Sequence, residues 1–189
     1  MNYLALVDRF NPVPADWNVT LCEIQGKLLE EQACKHCTMM LDKALEEGIE
    51  IKVISAYRTP EYQQILWNLG VAELINSGYT RADAVVEVGK TLALPGHSEH
   101  NLGLAVDLGT EDAEDTQDYF YKTVQGKWLC KNAADYGFIL RYPRLKEYIT
   151  GISYEPWHYR YVGGESARII KESGLCLEEF LHFYSEKYI

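Results

Sequence analysis

An aspartate stands inside an otherwise apolar run, Leu104-Ala105-Val106-Asp107-Leu108. A short run of this kind predicts a buried strand, and a buried carboxylate needs a cation to compensate for its lost hydration. Two groups of polar residues could help to hold that cation: His97-Ser98-Glu99-His100 precedes the run, and Glu155-Pro156-Trp157-His158 lies further along the chain. A fold of this chain therefore has to bring positive charge to Asp107.

The chain has only five histidines, and three of them lie in these two groups. A hydrolytic zinc site needs three protein ligands, an open position for water and a nearby base. For any single histidine, a plain polar loop residue is the simpler interpretation, but together the residues favour a metal site. His100, Asp107 and His158 are the candidate ligands, and Glu155 is the candidate base. Pro156 excludes the helical arrangement of the HExxH metalloproteases.

Length and charge narrow the class of protein. The chain has 189 residues and a net charge of −10, which predicts one domain over residues 1–189 and argues against nucleic acid as a partner. The amino-terminal residues contain no signal peptide or membrane span, and the five cysteines have no regular spacing, so we expect a cytoplasmic protein unless an export segment has been removed. Cys34 and Cys37 form a lone CxxC in a helical stretch, which favours packing over metal binding.

The hydrophobic periodicity and the positions of helix-capping and turn residues predict an α+β fold with a small, mostly antiparallel sheet flanked by helices. Thr59 and Thr80 are candidate helix N-caps, and Pro60 suits a first helical position. The predicted helices are 24–47, one that starts at Pro60, 82–88, 128–136 and one or two over 166–181. The predicted strands are 49–55, 103–108 and 158–162, and an apolar segment, 138–140, follows Gly137.

The motif Ser98-x-His100-x-x-Gly103-x-Ala105-x-Asp107, followed by Glu155-x-Trp157-His158, resembles the signature of the VanY-type D-alanyl-D-alanine carboxypeptidases of the LAS group. The resemblance extends to the segments 55–59 and 137–143, and it covers most of the chain from Leu4 to the closing helix. The lack of an anchor makes the chain look most similar to the VanXY-type enzymes, which are cytoplasmic and combine dipeptidase and carboxypeptidase activity.

The resemblance implies one zinc ion per chain and D-Ala-terminated peptides or peptidoglycan precursors as substrates. It assigns His100, Asp107 and His158 as ligands and Glu155 as general base. It also places Arg58 near the scissile carbonyl or the terminal carboxylate of the substrate, and Ser98 and Gln63 in contact with substrate. A guanidinium suits both of those tasks of Arg58.

Some neighbouring residues receive weaker assignments or none. His97 lies outside the matched ligand positions, and as a fourth ligand it would close the position that water needs. Glu99 either orients a ligand or is exposed. Trp157 and Tyr154 are expected at the cleft, although both could be packing residues, and no role is assigned to His36 or His182.

Three other functions share these motifs. An L,D-carboxypeptidase acting on tetrapeptide stems would have the same metal residues, and a phage-like endopeptidase would cut inside the stem peptide. A catalytically silent, zinc-stabilised peptidoglycan-binding domain would keep the metal alone, but the presence of Glu155 and Arg58 argues against it. The sequence does not decide between dipeptide and pentapeptide, or between glycopeptide resistance and routine wall trimming.

Overall fold

The computed structural model describes residues 1–113, 115–116 and 118–188. These residues contain two small antiparallel sheets and seven α-helices, which confirms the predicted α+β class. The strands are β1 (Leu21–Ile24), β2 (Lys27–Glu30), β3 (Lys52–Ser55), β4 (Ala105–Gly109), β5 (Phe138–Leu140) and β6 (His158–Tyr161). The helices are α1 (Glu31–Glu46), α2 (Pro60–Asn76), α3 (Arg81–Val88), α4 (Val124–Asn132), α5 (Glu147–Thr150), α6 (Gly164–Ser173) and α7 (Leu177–Tyr188).

The larger sheet has the strand order β3-β4-β6-β5, and every neighbouring pair is antiparallel. All five residues of the central strand β4 are buried. In its register Asp107 lies opposite Ser55 of β3 on one side and opposite His158 of β6 on the other. The sheet therefore brings residues that are distant in the sequence together at the amino-terminal end of β6.

The predicted helix over 24–47 is wrong in its first turns, where the chain forms the hairpin of β1 and β2. Gln25 and Gly26 form the two-residue loop with φ of 48° and 74°, and a left-handed pair of this kind suits the twist of a hairpin. The helix α1 starts only at Glu31, because the side chain of Glu30 caps it by accepting from the backbone N–H groups of Gln32 and Ala33.

The other predicted elements are present with shifted bounds. Thr59 and Thr80 cap α2 and α3 through their side chains, as expected, and Pro60 opens α2. The helix expected over 128–136 starts earlier, at Val124, because the side chain of Thr123 caps it, and it ends in a 3₁₀ segment. The strand expected over 49–55 is shorter and starts at Lys52.

Three apolar clusters hold these elements together. The main one lies between α1, the larger sheet and α4, and it contains the buried thiols of Cys34 and Cys37 as packing residues. A second packs α6 and α7 against β5, and a small third one joins α2 to α3. None of the helices in the part of the chain that the structure describes is both long and apolar enough to cross a membrane.

Candidate metal centre and cleft

The three candidate ligands converge in the fold. His100 lies in a 3₁₀ segment that ends at Gly103, whose left-handed conformation, with φ of 75°, turns the chain into β4. Asp107 and His158 then face each other as sheet neighbours. One ligand atom from each of His100, Asp107 and His158 lies within 4.8 Å of the other two. All three side chains are buried.

Hydrogen bonds fix which ring nitrogen of each histidine faces the cluster. His100 Nδ1 lies 2.6 Å from the carbonyl oxygen of Ala56, which can only accept, so Nδ1 carries the proton and the lone pair of Nε2 faces Asp107. His158 is turned the other way: its Nε2 lies 3.4 Å from Glu99 Oε2, and its Nδ1 lies 3.1 Å from Asp107 Oδ1. Both rings therefore present a potential metal-binding nitrogen to the carboxylate of Asp107.

Asp107 itself shows that the cluster suits a cation. Although burial alone would favour its neutral form, His100 and His158 hold the pKa of Asp107 well below its usual range. Its Oδ1 is buried and has no hydrogen-bond partner among the described residues, since the approach of His158 Nδ1 lacks hydrogen-bond geometry. A buried carboxylate oxygen without a partner is costly, and a divalent cation would satisfy it. Two imidazoles and a carboxylate are a donor set that zinc uses, so these residues fit zinc.

Glu155 lies beside this cluster, at the start of the turn that leads into β6. Its Oε2 is 3.7 Å from His158 Nδ1, and the residue is 5% exposed. Burial raises the pKa of Glu155 to about 8, against the opposing effect of His158, and the negative charge of Asp107 adds to the increase. A carboxyl group with a pKa near neutrality can both accept and return a proton.

Arg58 reaches the cluster from the segment just before α2. Its Nε donates to Ser55 Oγ at 3.0 Å, its Nη1 to Gln63 Oε1 at 3.4 Å, and its Nη2 to Asp107 Oδ2 at 2.8 Å. Gln63 is fully buried, and its other amide end donates to the Ala93 carbonyl at 2.8 Å, so this side chain is fixed in one orientation. Gln63 therefore positions Arg58 at the cleft.

A cleft of about 730 Å³ opens over the cluster and includes every predicted site residue in its walls. Ser98 lies in the wall, where its Oγ accepts from the backbone N–H of His100 at 3.3 Å. Trp157 lines the cleft as expected, while Tyr154 packs under the guanidinium of Arg144 at 4.0 Å. On the α2 side the wall includes the apolar residues Leu66 and Leu69 beside the polar Gln63 and Glu73.

The remaining histidines lie away from the cluster. His97 Nδ1 contacts the Asp8 carbonyl oxygen at 2.7 Å, and His97 is not part of the metal-competent group found among the described residues. His36 lies on α1, with its ring centroid 5.3 Å from that of Tyr161. His182 is exposed on α7.

Sequence reasoning missed a buried charge network behind His158. Glu99 is 2% exposed and accepts at Oε1 from both Arg141 Nε and Arg160 Nη1, each at 2.7 Å. Arg141 also pairs with Glu178, at 2.7 and 3.0 Å. The signal was present, because Arg160 interrupts the buried strand β6 just as Asp107 interrupts β4, and a buried arginine needs a carboxylate.

An α+β fold around a buried His–Asp–His cluster, with a glutamate beside it, is the arrangement expected of a zinc peptidase domain. Residues 26–164 match the family model described as "VanY: D-alanyl-D-alanine carboxypeptidase", and the chain belongs to this family. The resemblance drawn from its motifs is thereby confirmed.

Three similar proteins illustrate the range of the family. A D-alanyl-D-alanine carboxypeptidase of Enterococcus faecalis is 43% identical over 95% of this chain, and the chain spans 65% of that relative's length. The structure of a mutant of the vancomycin resistance D,D-pentapeptidase VanY, in complex with Zn(II), is 42% identical, with a TM-score of 0.87 over 96% of this chain and 99% of the other. The LD-carboxypeptidase LdcB is 34% identical, with a TM-score of 0.79 over 96% of this chain and 86% of the other.

Proposed function

We propose that this chain is a zinc-dependent D-alanyl-D-alanine carboxypeptidase and dipeptidase, which removes the C-terminal D-alanine of peptidoglycan precursors or cleaves D-Ala-D-Ala. The observation that carries the proposal is the buried Oδ1 of Asp107, which has no hydrogen-bond partner among the described residues and lies beside two histidine nitrogens, with Glu155 in the same cleft. His100 Nε2, Asp107 and His158 Nδ1 hold one zinc ion per chain. When bound, the zinc polarises the scissile carbonyl and lowers the pKa of water.

Glu155 moves the proton in this reaction. Its carboxylate takes a proton from the attacking water and returns it to the leaving amine of D-alanine. Its position supports this role, because it is buried at the mouth of the cluster, 3.7 Å from His158. The other carboxylate within the cluster, Asp107, is committed to the metal.

Arg58 binds the anionic part of the substrate. Its planar guanidinium presents several N–H donors to the cleft, and it pairs either with the terminal carboxylate or with the oxyanion that develops on the carbonyl. Ser55 and Gln63 hold the guanidinium from the protein side, so that little freedom is lost when substrate binds. Ser98 contributes a hydroxyl at the wall of the cleft for substrate contact.

D,D-specificity is preferred over the L,D-alternative. The D,D-pentapeptidase structure is more similar to this chain than the LD-carboxypeptidase LdcB, both in identity (42% against 34%) and in TM-score (0.87 against 0.79). The L,D-activity stays the second candidate, because LdcB also matches almost the whole chain. The five cysteines, free in the described part of the chain, support our further proposal that the protein works in a reducing compartment such as the cytoplasm.

A parallel assay with three substrates tests the proposed function. Zinc-loaded protein is given D-Ala-D-Ala, a pentapeptide precursor and a tetrapeptide precursor, and released D-alanine is measured. A pentapeptide that ends in L-alanine serves as the matched substrate control, and chelated protein as the metal control. We expect release from D-Ala-D-Ala and the D-Ala-terminated pentapeptide. Release from the tetrapeptide alone would establish the L,D-carboxypeptidase, and zinc binding without any product would establish the binding domain.

A further inference from the structure

The two carboxylate oxygens of Glu99 have different partners: one accepts from two arginines and the other faces His158. Arg141 and Arg160 both donate to Oε1, at 2.7 Å each. The other oxygen, Oε2, faces His158 Nε2 at 3.4 Å, near the outer limit of a hydrogen bond. A carboxylate can only accept, so Nε2 carries a proton, and Nδ1 is the ring nitrogen left for a metal at the cluster.

The rest of the network holds Glu99 in this orientation. Glu178 binds Arg141 with both of its oxygens, and Arg160 donates further to the backbone carbonyls of Tyr3 and Ala5, at 2.9 and 3.0 Å. Two carboxylates thus balance two guanidinium groups, and Glu99 and both arginines are almost completely buried. Since these donors are already engaged with other acceptors, the carboxylate of Glu99 cannot turn without breaking several buried charged hydrogen bonds.

We propose that Glu99 is a positioning residue, which fixes His158 in the tautomer and ring orientation that bind zinc through Nδ1. Glu99 touches neither substrate nor metal and acts only through His158. A carboxylate behind a metal-binding histidine commonly strengthens metal affinity by about 10- to 100-fold. The inference rests on the proposed zinc site, of which His158 is a ligand.

The substitution Glu99→Gln separates positioning from packing. Because both arginines require an acceptor at the Oε1 position, the glutamine must place its carbonyl oxygen there and direct its NH₂ group at His158. Two donors would then face each other, and His158 can relieve the conflict only by moving its proton to Nδ1, the atom that zinc needs. Glu99→Asp keeps two acceptor oxygens and should restore part of the function. Glu178→Gln is the matched control, because Glu178 binds Arg141 and does not contact His158.

The experiment measures the zinc dissociation constant of the metal-free proteins by competition with a chromophoric chelator, together with their thermal unfolding. We expect Glu99→Gln to weaken zinc binding by about 10- to 100-fold and Glu99→Asp to weaken it less. Glu178→Gln should destabilise the fold while leaving zinc affinity within about threefold, because it leaves the ligands alone. Equal zinc affinity of wild type and folded Glu99→Gln would overturn the inference, as would an equal loss in Glu178→Gln.

A second measurement does not depend on a variant that folds. Long-range proton–nitrogen NMR of the zinc-loaded wild-type protein reports which ring nitrogen of His158 carries the proton. We expect Nε2–H, and Nδ1–H would overturn the inference. If the wild-type chain binds no zinc at all, the proposed function itself fails. If it binds one zinc ion and Glu99→Gln binds it equally well, only the role of Glu99 fails.

Discussion

Replacing Glu155 with glutamine should change activity and stability in opposite directions. The side chain keeps its shape, but it can no longer accept a proton from water or return one to the leaving amine. General acid–base catalysis contributes about 10²- to 10⁴-fold, and here one group serves both transfers, so we expect a loss of about 10³-fold or more in kcat. That factor corresponds to about 4 kcal/mol of transition-state stabilisation.

The stability of the metal-free protein should rise in the same variant. Burial raises the pKa of Glu155 from 4.5 to about 8, so between these values the folded state keeps a proton that the unfolded state has lost. Stability then falls as the pH rises, by about 1.4 kcal/mol per pH unit. Glutamine has no such proton, and at pH 7 the variant should be more stable than the wild type by up to about 3 kcal/mol.

Two assays check this pair of effects. Urea unfolding of chelated wild type and Glu155→Gln at pH 5 and pH 7 should show a gain that is below about 1 kcal/mol at pH 5 and grows at pH 7. D-alanine release by the zinc-loaded proteins, with zinc content measured alongside, gives the kcat ratio. If wild type and Glu155→Gln were equally stable at pH 7, the proposal that Glu155 is buried in its neutral form would be refuted. A zinc-loaded variant that works within about tenfold of the wild-type rate would refute Glu155 as the base.

Three other predictions concern the metal and the substrate. Burial alone would lower the pKa of His158, but the neighbouring carboxylates of Asp107 and Glu99 raise it to about 9, so zinc must displace a proton. Zinc affinity should therefore increase as the pH rises from 6 to about 9 in calorimetric titrations. His158→Ala and Asp107→Ala should each lose most of the bound zinc in metal analysis, whereas His97→Ala should keep it, and equal zinc in all three would contradict the ligand set. Arg58→Lys should keep zinc but lower kcat/KM for D-Ala-D-Ala by about 10²-fold, because an ammonium cannot replace the bidentate fork; unchanged kinetics would exclude Arg58 from substrate binding.

Local sequence signals predicted the capped helices, whose ends depend on nearby residues. Thr59, Pro60 and Thr80 act within one helical turn of their position, so their effect is visible without the rest of the chain. The hairpin of β1 and β2 escaped prediction because apolar residues of adjacent elements merged into one helical pattern. The left-handed conformation of Gln25, which makes the turn, is not encoded by an obvious turn residue.

The sequence predicted which residues belong to the candidate site, but it did not predict how they are arranged. Asp107 could be recognised as a site residue because a carboxylate buried in an apolar strand is energetically costly, and its burial follows from the adjacent residues alone. Arg160 in β6 is also a charged residue in a buried strand and needs a partner of opposite charge, but the charge network around Glu99 was not predicted. Whether Glu99 was exposed or oriented a ligand could not be decided from a loop sequence, because the answer depends on side chains of β5, β6 and α7.

The sequence by itself determined which residue types are available for chemistry: a carboxylate that needs a cation, the histidines near it and a glutamate that Pro156 keeps off a helix. Only the tertiary structure decided how they meet. The antiparallel register of β4 and β6 sets Asp107 opposite His158, and contacts from Ala56 and Glu99 select the nitrogen that each histidine presents. The physical reason is that burial and tautomer depend on neighbours distant in the chain, which only the folded backbone brings within hydrogen-bond range.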